Sequence, residues 1–229
     1  MRTLDPTTNE TVTLLNNYFG YYFNTVDDLV VDKYGDVWFT DPMYSWFNDL
    51  TDTAPQLESA SYRFRPSTGA VAVIDDSCRQ PNGIAFSPGY KNLYISDSGA
   101  VAGTYAPQYP DIHSTSFNTT GKRTVYVYDV YDSGSMLSIG NRRPIYLAQD
   151  WIPDGLKVSQ AGYVVTGAGR GVDVLDEFGQ MIVRVQTNYT VQNFAWVADK
   201  KTGKWTEFWM CGNGGVSRVR WELEGQHLV

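Results

Sequence analysis

Three oxygen-bearing side chains recur at one place in a repeated phrase. They are Asp27 in VDDLVVDKYGDVWFTD, Asn82 in PNGIAFSPGYKNLYISD and Asp154 in PDGLKVSQAGYVVTG. Each stands first in a pair, Asp27-Asp28, Asn82-Gly83 or Asp154-Gly155, directly ahead of a short apolar run. Two carboxylates and one amide gathered at a point would suit a hard cation, because Ca²⁺ takes oxygen ligands in flexible geometry. A plainer reading stands beside this one. Asn-Gly and Asp-Gly are frequent turn dipeptides, and each pair could simply open a strand. Recurrence at matching places in successive repeats favours the shared site.

Two further residues are candidates for contact with a bound substrate. Asn193 falls at the corresponding place in a fourth, weaker repeat, and His113 sits in a long insertion rich in Gly, Tyr, Pro, Ser and Thr. Either has a structural alternative, as a strand-opening Asn and a solvated loop His. The run Gly167-Ala168-Gly169-Arg170-Gly171 superficially looks like a phosphate loop, but it lies between two strand patterns with no helix after it, so a hairpin turn is expected. No GxSxG is present, and with His113 and His227 the sole histidines a serine triad has little support.

The elements that must position these residues are strands. Each phrase runs from the polar pair into an apolar strand, a turn, and a second strand rich in Val, Trp, Tyr or Ile. No stretch carries a convincing helical apolar period. The first full unit spans residues 27–76, with strands LVVD, VWFTD, SYRFRP and AVAVIDD. The second spans 82–150, with IAFSP, NLYISD, RTVYVYDVY and RPIYLAQ. The third spans 154–188, with LKVS, YVVTGA, GVDVLDE and MIVRVQ. The fourth spans 192–229, with FAWVAD, KWTEFWMCG and VSRVRWEL. Residues 1–26 read as an outer hairpin and an aromatic connector of an incomplete unit. Constant strand order with variable spacing means one sheet repeated with variable loops. Such sheets arranged radially form a β-propeller, whose innermost strands line a central channel; a sandwich is the alternative. Two long loops, residues 42–59 and 98–122, are expected at the rim or mouth.

Composition narrows the function classes. The chain is 42% hydrophobic and 14% aromatic, enough for a packed core and contrary to disorder. Its formal charge of -7 and the absence of a basic stripe argue against nucleic-acid and acidic-membrane partners. No apolar run reaches the length of a membrane span, and MRTLDPTTNE does not read as a signal peptide. Cys78 and Cys211 have no paired spacing, so neither zinc nor a disulfide framework is indicated, though a single bridge between them is conceivable. Sequons at Asn9, Asn118 and Asn188 are near the number chance gives; they leave the compartment open, secretion included.

The phrases PNGIAFSP…LYISD and PDGLKV…G resemble the gluconolactonase and senescence marker protein (regucalcin) family of six-bladed, all-β propellers. FTDPMYSW and SYRFRPSTGAVAVI look most like fungal lactonohydrolases. The resemblance covers nearly the whole chain. It implies a divalent metal, usually calcium, on the channel axis, held by a Glu, two Asn and an Asp. Asn82 matches the Asn of the PNG phrase, Asp154 the Asp of the PDG phrase, and Asp27 stands where the family usually has Asn. The Glu has no counterpart, and the resemblance implies about a blade and a half ahead of Met1, with roughly four and a half blades of a six-bladed ring present. It further implies metal-dependent hydrolysis of a small-molecule lactone, with Asp27, Asn82 and Asp154 as ligands and Asp154 also as general base. A phosphotriesterase-type hydrolase on the same scaffold and a non-catalytic, ligand-binding propeller are the alternatives.

Overall fold

A computed structural model describes residues 1–105 and 113–226, with the side chains of 104, 105 and 113–115 left aside. It is almost entirely β; Tyr44–Phe47 and Pro88–Tyr90 are the helical turns among the described residues. Four antiparallel sheets succeed one another in chain order. Blade I comprises Leu29–Val31, Val37–Asp41, Ala60–Arg65 and Ala70–Asp75, counted outward from the inner strand. Blade II comprises Pro81–Phe86, Asn92–Asp97, Thr124–Asp132 and Leu137–Leu147. Blade III comprises Leu156–Val158, Val164–Ala168, Gly171–Leu175 and Met181–Gln186. Blade IV has three strands among the described residues, Val191–Val197, Glu207–Gly212 and Gly215–Arg220, matching the three that the sequence pattern marks in this unit. Two small hairpins precede them, Arg2–Leu4 with Thr11–Thr13 and Asn17–Tyr18 with Tyr21–Tyr22.

The core lies between the blades. One cluster joins Ala85, Tyr94, Val125 and Tyr146 of blade II to Leu156, Val158, Val164 and Leu175 of blade III. Another joins Trp38 of blade I to Ile84, Phe86, Leu93 and Ile95 of blade II. A third joins Val165, Val172 and Val174 to Phe194, Trp196 and Phe208. Blades II and III are therefore covered on both faces, and blade I has blade II on one face and Met1, Leu14, Leu15, Tyr18 and Phe23 on the other, which is why VWFTD, VVTGA and GVDVL are buried at every position. A strand with one wet face would alternate instead. The inner strands of all four blades line a common cavity of about 460 Å³, whose wall includes Leu29, Val31, Ala85, Val158 and Ala195. This is the propeller's central channel.

Buried aspartates at the ends of second strands hold the loops that lead into the inner strands. Asp41, fully buried, accepts hydrogen bonds from the N–H groups of Asn24 (2.9 Å) and Thr25 (2.7 Å). Asp97, also fully buried, accepts from the N–H groups of Arg79, Gln80 and Gly99, each at 3.0 Å. Buried backbone donors need such partners, so these two aspartates fix where Asp27 and Asn82 begin their descent into the channel.

Two expectations need correction. Asn82 lies inside its strand, not ahead of it, because Pro81 still pairs with Asp97 beyond an irregularity in the ladder. Asn193 is likewise the third residue of Val191–Val197. Cys78 is buried and Cys211 exposed, and both are free thiols, in keeping with the lack of any paired cysteine spacing. The glycine-rich run forms the expected hairpin, Ala168 pairing with Gly171. The 98–122 insertion holds a hairpin of its own, Val101–Tyr105 with His113–Phe117. No helix among the described residues is long and apolar enough to cross a membrane.

Candidate active site at the channel end

Asp27, Asn82 and Asp154 come together at one end of the inner strands. Their approach depends on the residue after each of them, at positions 28, 83 and 155. Gly83 packs so tightly on blade III that a Cβ built there would lie 2.4 Å from Leu156 N and 2.7 Å from Asp154 O. A Cβ on Gly155 would lie 2.6 Å from Asn193 Oδ1 and 2.8 Å from Gln192 O. Neither glycine has positive φ, so these pairs are not turns. The glycine is required by the neighbouring strand's proximity.

Blade I has Asp28 in the glycine's place, and there the side chain makes the junction itself. Asp28 Oδ2 accepts from Ile84 N of blade II at 3.2 Å and pairs with Lys157 Nζ of blade III at 3.3 Å. Hydroxyls one residue before the ends of the second strands complete the stitching. Thr40 Oγ1 donates to Asn82 O at 2.6 Å, and Ser96 Oγ donates to Asp154 O at 2.8 Å while accepting from Gly83 N at 2.7 Å.

Two side chains that no sequence pattern singles out complete the site. Tyr44, on the short helix Tyr44–Phe47, accepts a hydrogen bond at its hydroxyl from Asn82 Nδ2 at 2.9 Å. The same hydroxyl hydrogen-bonds Ser98, a fully buried residue that opens the 98–122 insertion. Both long loops thus deliver a polar group to the channel end. The signal available in the sequence was the position of Tyr44 and Ser98 inside those two loops. Asn193 is exposed beside Gly155, with Oδ1 accepting from Phe194 N at 2.8 Å. His113 pairs through its backbone with Tyr105, and its side chain lies outside the described residues.

Burial and crowding of like charges dominate the electrostatics. Asp154 is pushed up to about 7, first by burial and then by the Asp27 carboxylate; hydrogen bonds from Asn82 and the Gly155 N–H act in the opposite direction. Asp27 is exposed, yet the protein surrounding it and the Asp28 and Asp41 carboxylates raise it to about 6, against a smaller lowering by Lys157. Asp41 also rises to about 6, through burial. The Tyr44 phenol is driven upward by burial and by Asp154, so it stays neutral. The nearby cation Lys157 is engaged by Asp28. Among the described residues no three His, Cys, Asp or Glu side chains cluster; the donor set is two carboxylates and an amide. Two mutually repelling carboxylates with hard oxygen atoms are a suitable donor set for a divalent cation.

In the metal-free protein the half-buried carboxylate weighs on the fold. A folded carboxylate with a raised pKa holds its proton after the unfolded chain has released it, so Asp154 destabilises the fold increasingly as pH rises from about 4 to about 7. In chelator, Asp154→Asn should gain stability over the native chain across that window and hold a constant advantage above it. Urea midpoints at pH 4.5 and 8 measure this; an equal difference at both pH values contradicts the assignment.

Radially repeated sheets with a polar cluster at one end of their inner strands define a β-propeller with a channel-end site. The chain belongs to the SMP-30/gluconolactonase/LRE-like family, whose model matches residues 2–202. It is 47% identical over 227 residues to lactonohydrolase oryL of Aspergillus oryzae, covering 98% of this chain and 50% of that protein. The chain thus spans about half the length of this curated relative. A gluconolactonase from Xanthomonas campestris shares the fold with a TM-score of 0.73 and 22% identity, over 96% of this chain and 64% of that one. A calcium-binding regucalcin from Agrobacterium tumefaciens does so with a TM-score of 0.62 and 15% identity, over 89% and 63%.

Proposed function

We propose that the channel end serves metal-dependent hydrolysis of a small lactone. The observation that carries this reading is the Asp27–Asp154 pair, two carboxylates with raised pKa values while the nearby lysine is engaged elsewhere. Kinship with a lactonohydrolase and a gluconolactonase supports the substrate class. Asp27, Asn82 and Asp154 would hold the cation, with calcium the first candidate. When bound it would supply Lewis-acid polarisation of the ester carbonyl and stabilise the developing oxyanion.

The chain's own groups divide the remaining work. Asp154 accepts the proton of the attacking water as general base; a carboxylate whose basicity lies near neutral pH suits that task. Tyr44, itself held by Ser98, fixes the Asn82 amide so that its oxygen and nitrogen keep their roles. Asp28 and Lys157 hold three inner strands at one spacing, and the ion pair leaves Lys157 with only a small effect on Asp27. The loop at 42–59 and the described part of the 98–122 insertion, which bring Tyr44 and Ser98 to Asn82, would shape the mouth.

Calorimetric titration with calcium tests the ligand set. Asp27→Ala and Asn82→Ala should each weaken binding, Asp27→Ala more, because a charged oxygen contributes more to a hard cation than an amide does. Unchanged affinity in both variants would leave only the strand-forming role for these residues. A panel of lactones and organophosphates then tests the reaction, and calcium binding without turnover of any lactone would overturn it.

A further inference from the structure

Blade IV is packed on one face. Its strands alternate between buried and exposed residues, whereas VWFTD, VVTGA and GVDVL are buried throughout. Phe194, Trp196, Phe208 and Met210 turn towards blade III. The other face presents Ala195, Val197, Trp209 and Val216, all exposed, together with exposed Arg218 and Arg220. The strand register puts Ala195, Trp209 and Arg218 in one row, with the Arg218 guanidinium 5.5 Å from the Trp209 ring. A sheet face kept for water carries polar side chains at such positions. Apolar groups around a Trp–Arg stack are the make-up of a contact surface.

The two flanks of the array of blades carry opposite charge. Residues 199–220 hold five basic and two acidic residues, on a chain with 18 and 25. Lys200, Lys201 and Lys204 are exposed, as are the two arginines. Residues 1–76 hold four basic and twelve acidic residues. Beyond blade I stands the hairpin Arg2–Leu4 with Thr11–Thr13, exposed at every residue. Thr3 pairs with Val12, and strand alternation puts the next pair towards the turn, Asp5 and Glu10, on the same side. That side combines an exposed valine with two carboxylates. A two-stranded hairpin wet on both faces is marginal by itself, so a sheet to lie on would stabilise it.

We propose that the free face of blade IV binds the N-terminal hairpin of a second copy of this chain. Val12 lies on Trp209 and Val216, while Asp5 and Glu10 meet Arg218 and Arg220. The contact continues the sheet-on-sheet packing that already joins blades I to IV, and it adds opposite charge. Two blade IV faces set against each other would oppose arginine to arginine, which like-charge repulsion disfavours. The two surfaces differ, so the interface is heterologous, and each added copy leaves one surface free at either end. A hairpin of this size covers little area, so association is weak and concentration-dependent. The surface stands apart from the reaction proposed for the channel end.

Sedimentation equilibrium of the 229-residue chain tests this. Between about 10 µM and about 500 µM, the range for a small interface, the average mass should rise past that of a dimer. Raising NaCl from about 50 mM to about 500 mM should weaken association by about threefold or more, because exposed charge pairs are screened. Val216→Asp and Val12→Lys should each weaken it by about tenfold or more, since each places an uncompensated charge in the contact. Circular dichroism confirms the fold, and Arg218→Ser tests the blade IV face if Val216→Asp unfolds. Mixed in equal amounts, Val216→Asp and Val12→Lys should associate again, because one native hairpin and one native blade IV face remain between them. A chain that stays monomeric at the highest concentration, or no recovery in the mixture, would overturn the proposal. So would a mass that stops at the dimer with Val12→Lys associating as the native chain does, which would assign the face to a second blade IV.

Discussion

Replacing Asp154 by Asn should lower lactone hydrolysis by about 10²–10⁴-fold, the usual cost of losing a general base. The variant should also fold, and in chelator it should be more stable than the native chain near neutral pH. Both outcomes arise from the same environment. Burial and the Asp27 carboxylate make ionised Asp154 costly to hold, and Asn removes that cost at nearly constant shape. The backbone bonds from Ser96 Oγ and to Gly167 O are untouched, and the Asn Oδ1 can still accept from Asn82 or from the Gly155 N–H, though not from both as the two carboxylate oxygens do. A substitution that raises stability while removing turnover marks a group kept for chemistry at structural expense. Near-normal kcat/KM in a folded Asp154→Asn protein would refute the role. An inactive variant that is also less stable than the native chain would show that Asp154 serves the fold.

The sequence disclosed the strands because the blades bury both faces of their middle sheets. VWFTD, NLYISD, YVVTGA and GVDVL stand out as continuous apolar runs for that reason, and they occur within a residue or two of where the pattern puts them. Asp27, Asn82 and Asp154 were legible because one place in a repeat maps to one place around an axis. Tyr44 and Ser98 were not, because loops of different blades bring them to Asn82 and no local period marks such a meeting. The helical turn at Tyr44–Phe47 escaped for a related reason: a single turn is too short to show a period. Asp41 and Asp97 stood in plain view at the ends of the FTD and ISD phrases. Their task of holding backbone donors appears only when the preceding loop is folded over them. The glycines after Asn82 and Asp154 have a turn-like reading in the sequence, whereas the structure gives them a different cause.

That cause yields the most demanding test of the architecture. Gly83→Ala should destabilise the protein by about 3 kcal/mol or more, at the upper end of what overpacking costs. A methyl group at Gly83 meets backbone, Leu156 N at 2.4 Å and Asp154 O at 2.7 Å, and also Leu156 Cβ at 2.7 Å. Backbone in a paired inner strand has little room to give. The Ser96 hydroxyl that links Gly83 N to Asp154 O would lose one bond or both as the strands part. Asp154 would then shift against Asn82 and Asp27, so metal affinity should fall in any fraction that still folds. Gly155→Ala should cost less, because its nearest obstacle is the side chain of exposed Asn193, which can turn aside, although Gln192 O at 2.8 Å remains. Gly140→Ala, on the outer strand of blade II, meets only the Tyr131 ring at 3.2 Å and should change stability little. Urea unfolding of the three variants should rank them Gly83, Gly155, Gly140 in decreasing cost. A Gly83→Ala protein as stable as Gly140→Ala would mean that the inner strands do not approach as described, and the shared site at the channel end would lose its structural basis.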